Sequence, residues 1–170
     1  LIIFDYDGLL VESEKLAFWA EEKILRKYGK SLTKALFDKY LGYSVIDTLK
    51  GYIEYHDLPI PIDDFYAQRE AVINTLLETA LILKPGAKIL LDYLHKKGII
   101  MVIGSSGERS YIETGVKILG VEKYFKNITC VSEVKRGKPN PDLFLEALRK
   151  NNTKAQESIV LEDAISGIKA

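Results

Sequence analysis

The sequence predicts an α/β fold: a Rossmann-like parallel sheet covered by helices, with an α-helical domain inserted after the first strand. Three observations carry this expectation. Short, continuous apolar runs at residues 1–4, 99–103, 127–131 and 158–161 each end at a turn or polar residue, as strands buried on both faces do. Helical apolar spacing separates the later runs, with one helix per crossover. Residues 13–80 carry helical spacing throughout, with no strand signal.

In chain order, Leu1-Ile2-Ile3-Phe4 reads as a strand feeding the turn Asp5-Tyr6-Asp7-Gly8. Helices follow at 13–28, 33–41, 44–55 and 63–80, joined through Gly29, Gly42 and Pro59/Pro61. A helix at 87–97 precedes the second strand, which stops at Gly104, and a helix at 110–119 precedes the third, which stops at Ser132. The helix at 141–150 has Asn140 as its expected N-cap, Pro141 at the first position and Asp142 in the first turn. The fourth strand stops at Glu162, and a last helix has just begun by residue 170. The expected domains are a core of 1–14 and 81–170 and an inserted helical domain of 15–80. Because the chain opens without methionine inside an apolar run, it is expected to be a stretch of a longer protein, its core C-terminally incomplete.

The 170 residues are 47% hydrophobic, and 24 basic side chains balance 24 acidic ones. No net field gathers nucleic acid or an anionic membrane, so neither is an expected partner. No apolar run approaches the roughly 18 residues of a membrane span, and no secretory signal is visible at the N-terminus. The single cysteine, Cys130, forms no disulfide framework within the chain. A cytoplasmic location is the expectation.

Ligands of open parallel sheets bind beyond the carboxyl ends of the strands, so the residues there are compared as one set. They are Asp5 and Asp7, Ser105 and Ser106, Lys138 near the third strand, then Glu162 and Asp163. Carboxylates gathered at one edge repel unless they are paired or hold a cation. A hard ion with oxygen ligands, Mg²⁺, is the natural counterweight, and it commonly shares its ligands with a substrate phosphate. Lys138 and the serine hydroxyls then face the phosphate's remaining oxygens. In an extended strand, Asp5 and Asp7 project to the same side. One can attack phosphorus while the other moves protons for the leaving oxygen and the incoming water. The set describes phosphoryl transfer to or from a small phosphorylated metabolite.

The stretches Phe4-Asp5-Tyr6-Asp7-Gly8, Gly104-Ser105-Ser106-Gly107, Gly137-Lys138-Pro139-Asn140-Pro141-Asp142-Leu143-Phe144 and Leu161-Glu162-Asp163-Ala164-Ile165-Ser166-Gly167-Ile168 resemble the haloacid dehalogenase (HAD) superfamily. The resemblance is to its phosphatase and beta-phosphoglucomutase branch, in which a helical cap follows the first strand. It implies a HAD-like core in which Asp5 is the nucleophile, Asp7 the general acid and base, Ser105 a ligand of the phosphoryl group and Lys138 its partner and that of Asp5. It further implies Mg²⁺ held by Asp5, the Asp7 backbone carbonyl and Asp163, with Glu162 beside or among the ligands. The cap loop Leu41-Gly42-Tyr43-Ser44 would face the substrate, which makes Gly42 and Tyr43 candidate binding residues.

Departures from the family pattern narrow the activity. The superfamily's dehalogenases lack the second aspartate, so Asp7 argues against them. The cap histidine and arginine of beta-phosphoglucomutase align with Ala17 and near Val45, so a phosphatase is expected ahead of a phosphosugar mutase. A receiver-like phospho-aspartate switch is the remote alternative. In the cap, Lys39, Lys50 and Arg69 are expected on solvated faces, and Phe18 and Trp19 in the packing.

Overall fold

In the computed structural model, residues 1–41 and 43–170 are described. The elements are β1 (Ile2–Phe4), α1 (Ser13–Lys27), α2 (Lys34–Lys39), α3 (Val45–His56), α4 (Ile62–Ala80), α5 (Ala87–Lys96), β2 (Met101–Ser105), α6 (Arg109–Ile118), β3 (Phe125–Cys130), α7 (Asp142–Lys150), β4 (Ile159–Leu161) and α8 (Ile165–Lys169). They form two compact units, Leu1–Ser13 with Leu81–Ala170, and Glu14–Ala80.

The first unit is built on a four-stranded parallel sheet of order β3-β2-β1-β4. The chain winds outward from β1 to β3 and then returns to the far side of β1, so β1 is the point where the winding reverses. That reversal opens a crevice at the carboxyl end of β1. Register aligns Phe4 with Ile103 on one side and Leu161 on the other, so the segments after these strands emerge at one level. Ile3 and Val102 pack against Leu143, Phe144, Ala147 and Leu148 of α7. Phe4, Met101 and Ile103 are also buried and, by strand alternation, face the opposite side.

Just beyond β1 the chain makes a seam. Val11 bridges Leu83 in antiparallel fashion. The Glu12 N–H donates to the Ile82 carbonyl at 3.0 Å, and the Lys84 N–H to the Leu10 carbonyl at 2.9 Å.

The second unit comprises α1 to α4 around a core that includes Ile24, Leu25, Leu49, Tyr52 and Phe65. Side-chain caps start two of its helices: Thr33 accepts from the Leu36 N–H at 3.2 Å, and Ser44 from the Asp47 N–H at 3.1 Å. Within it Arg69 Nε donates to Glu21 Oε1 at 3.0 Å, with both side chains largely buried, and the Tyr52 hydroxyl faces the same carboxylate. Burial pushes the Glu21 carboxyl above its ordinary range, and Arg69 opposes that shift.

Several expectations are corrected. Arg69 lies in a buried ion pair, where α1 and α4 bring an acid and a base together, and not on a solvated face. Phe18 packs edge-on against Phe37, whereas Trp19, the next residue around α1, is 47% exposed. The second strand is β2 at Met101–Ser105, and Ile99 and Ile100 precede it, partly exposed. An apolar run fixes neither the start of the strand nor the burial of every residue in it: Ile159 and Val160 of β4 are exposed as well. Asn140 does not cap α7: its Nδ2 donates to the Gly137 carbonyl at 3.1 Å, and Pro141 is the cap residue. Among the described residues no helix is long and apolar enough to cross a membrane.

Candidate active site

The fold brings the strand-end residues of β1, β4 and the loop after β3 into direct contact. The Asp5 N–H donates to the Leu161 carbonyl at 3.0 Å, which ties the end of β1 to the residue before Glu162. Asp5 is 6% exposed. Lys138 Nζ donates to Asp5 Oδ1 at 2.8 Å and to Glu162 Oε2 at 2.5 Å, and all three side chains are nearly buried. The Lys138 ammonium also lies 5.2 Å from the centre of the Phe144 ring, so α7 adds a cation–π contact to the pair.

Glu162 is fully engaged. Its Oε2 accepts from Lys138 and its Oε1 from the Ala164 N–H at 3.1 Å. The carboxylate lies directly over Gly167, where an added Cβ would come within 2.0 Å of Glu162 Cδ. Asp163 instead covers the turn after β1. Gly8 has φ +77°, and a Cβ there would lie 2.2 Å from Asp163 Oδ2. The turn thus demands glycine twice over, for its left-handed backbone and for the carboxylate against it.

Asp5, Glu162 and Asp163 each offer an oxygen within 4.8 Å of the others. Burial lifts the Asp5 carboxyl to about 7, against the lowering pull of Lys138, and burial also raises Asp163. Three hard carboxylate donors around one point, two of them reluctant to ionise without a counter-charge, fit a divalent cation with oxygen preference. The Asp7 side chain is not part of this group.

Asp7 points elsewhere. Its Oδ1 accepts from the Tyr111 hydroxyl on α6 at 2.9 Å. Its Oδ2 lies beside Gly107: the point a Gly107 Cβ would occupy is 3.4 Å from Asp7 Oδ2 and 3.3 Å from Ser105 Oγ. Ser105 is 1% exposed, and its Oγ accepts from the Gly107 N–H at 3.0 Å, which leaves the hydroxyl hydrogen to donate. Burial and the Asp7 carboxylate push the Tyr111 phenol well above its ordinary range, so it stays a donor. Ser106 is exposed on the loop after β2. Tyr43 is 62% exposed and stands edge-on to Tyr40. Gly42 lies outside the described residues.

Tyr111 escaped the sequence reading because comparison stopped at the residues immediately after each strand. It lies in the first turn of the helix that follows the Ser105 loop, and extending the comparison by one helical turn would have included it.

The chain matches, over residues 2–170, the model of the family described as haloacid dehalogenase-like hydrolase. It is 28% identical over 173 residues to a phosphorylated carbohydrates phosphatase of Thermotoga maritima, covering 99% of this chain and 78% of that protein. It is 32% identical over 179 residues to the mitochondrial (DL)-glycerol-3-phosphatase 1 of Arabidopsis thaliana, again over 99% of this chain but 59% of that longer protein. Among solved structures, a HAD family hydrolase from Deinococcus radiodurans with bound phosphate and sodium superposes with a TM-score of 0.81 at 28% identity, covering 99% of this chain and 74% of the other.

Proposed function

The chain belongs to the haloacid dehalogenase-like hydrolases, and from that premise we propose that it is a Mg²⁺-dependent phosphatase releasing inorganic phosphate from a small phosphorylated metabolite. The observation that carries this reading is the pairing of one buried lysine with two acids from different strand ends, Asp5 and Glu162. A phosphoryl group needs such a balanced site, with a nucleophile, a fixed positive charge and donors around its oxygens. The phosphatases of carbohydrate phosphates and glycerol phosphate among the relatives support a small sugar or polyol phosphate as substrate.

In this reading Asp5, Asp163 and the Asp7 backbone carbonyl hold the ion, with Glu162 against Lys138. When bound, the ion would offset the carboxylates' charge and draw electron density from the phosphoryl oxygens. A carboxylate oxygen of Asp5 attacks phosphorus, and the bond to the leaving oxygen breaks as Asp7 gives that oxygen a proton. Water then attacks the aspartyl phosphate, Asp7 takes a proton from the water, and the phosphorus–Asp5 bond breaks. One ester and one water thus yield one alcohol and one phosphate, with both aspartates restored. Lys138 and Ser105 hold the phosphoryl oxygens through both steps.

The test is phosphate release from a panel of phosphorylated sugars, polyols and nucleosides. Release with Mg²⁺ and its abolition by Asp5→Asn are expected, together with a phosphorylated Asp5 peptide in mass spectrometry of the quenched wild-type reaction. Failure of every panel member with wild-type protein would overturn the reading.

A further inference from the structure

We propose that Glu133 is a positioning residue for Lys138, holding the loop that carries the lysine in register with the loop that carries Ser105; this rests on the reading of both as ligands of the phosphoryl group. The Lys138 loop leaves β3 through a single 3₁₀ turn, Val131–Glu133, and Glu133 folds back over the strand end. Its Oε1 accepts from the Cys130 N–H at 2.8 Å and from Arg109 Nη2 at 2.7 Å, and its Oε2 accepts from Lys150 Nζ. One carboxylate thus joins three elements. Arg109 is the first residue of α6, just beyond the Ser105 loop, and Lys150 is the last of α7, whose Phe144 ring lies against Lys138.

The two cations are themselves tethered. Arg109 Nη2 also donates to the Ile128 carbonyl at 3.1 Å and its Nη1 to Glu113 Oε1 at 3.2 Å, while Lys150 Nζ reaches the same Ile128 carbonyl at 3.3 Å. An isolated surface ion pair holds a backbone weakly. Here a backbone N–H and two tethered cations converge on one carboxylate, so the start of the loop moves only if several charge-assisted bonds break together. The far end is closed by Arg136, whose Nε and Nη2 donate to the Asp142 carboxylate at 3.1 and 2.7 Å. Lys138 stands between these anchors. Its stem is flexible, so the backbone must be fixed for the ammonium to meet Asp5 and Glu162 together, and small misplacements of such a group are costly.

The experiment titrates tungstate, a tetrahedral oxyanion standing in for phosphate, into the protein with Mg²⁺ in mildly alkaline buffer, read by isothermal titration calorimetry. Wild type, Glu133→Ala, Lys138→Met and the double variant form a cycle. With Lys138 present, Glu133→Ala is expected to weaken tungstate binding by about 10-fold, the scale of a lost hydrogen bond to a charged group. In the Lys138→Met background the same change is expected to have no effect. The dissociation constant is independent of how much variant is folded, so poor folding cannot imitate this dependence on Lys138. Should Glu133→Ala fail to fold, Arg109→Met repeats the cycle with the Cys130 and Lys150 bonds to Glu133 kept, and a smaller weakening with the same dependence is expected. Equal weakening in both backgrounds, or none in either, overturns the positioning role and leaves the reading of Lys138 standing. If Lys138→Met binds tungstate as tightly as wild type, the reading of Lys138 as a phosphoryl ligand falls, and the role of Glu133 with it.

Discussion

Lys138 holds two carboxylates at once, and the roles of the acids around it can be separated by what each already touches. Both Glu162 oxygens are engaged, one by Lys138 and one by the Ala164 N–H, whereas Asp163 lies over the Gly8 turn. Asp163→Asn is therefore expected to abolish the thermal shift produced by Mg²⁺, while Glu162→Gln keeps a shift but loses turnover; differential scanning fluorimetry with and without Mg²⁺, beside a phosphate assay, separates the two. At 100 times the dissociation constant that wild-type shift should be about 5–10 °C. The same measurement carries a pH signature. The folded pKa of Asp5 is raised to about 7 by burial, so its contribution to stability without metal is full below about pH 4 and is lost as pH rises through 7. Without Mg²⁺ the melting temperature should fall across that window, and the shift on adding Mg²⁺ should be larger at pH 8 than at pH 5. A Mg²⁺ shift that is the same at both would contradict this account of Asp5.

Short elements set where these side chains stand, and α8 shows how far local propensity reaches. In an isolated helix, Gly167→Ala would stabilise by about 1 kcal/mol. Here the new Cβ would fall within 2.0 Å of Glu162 Cδ, so Gly167→Ala is expected to lower the melting temperature and turnover together; a stabilised, active variant would refute the packing argument. This contact also marks the limit of what sequence could tell. The strand-end comparison singled out Asp5, Ser105, Glu162 and Asp163 because each follows a recognisable apolar run, and Lys138 because it lies near the third. The division of labour between Glu162 and Asp163 stayed open, since it depends on the space above Gly167 and Gly8. Tyr111 is 104 positions from Asp7, and no periodicity links them. Asn140 shows the converse: a residue suited to capping was claimed by the Gly137 carbonyl, because a side chain bonds to the group the loop brings nearest.

The molecule as a whole has two sources of stability. The helical unit holds its own core and the Arg69–Glu21 pair; the sheet unit holds the acids and Lys138. Removing one partner of a buried ion pair leaves the other charge uncompensated and costs about 3–5 kcal/mol. Arg69→Ala should accordingly speed amide exchange through residues 14–80 while β1 to β4 stay protected, read by hydrogen exchange and mass spectrometry. Equal loss of protection in both units would show that they unfold as one. The insertion itself was legible, because a long helical block without strand signal has no place in a sheet. Arg69's ion pair was not, since its partner lies 48 positions away on a different helix.

The seam joining Leu10, Val11 and Glu12 to Ile82, Leu83 and Lys84 gives this architecture an evolutionary licence. Where departing and returning chain are hydrogen-bonded side by side, the sheet sees only a closed hairpin, whatever is carried beyond it. Doubling the length of an enclosed loop adds only about 0.6 kcal/mol of closure entropy. The excursion can therefore be lengthened, shortened or exchanged wholesale with little penalty to the sheet, so a lineage can change its accessory module while the acids at the strand ends keep their places.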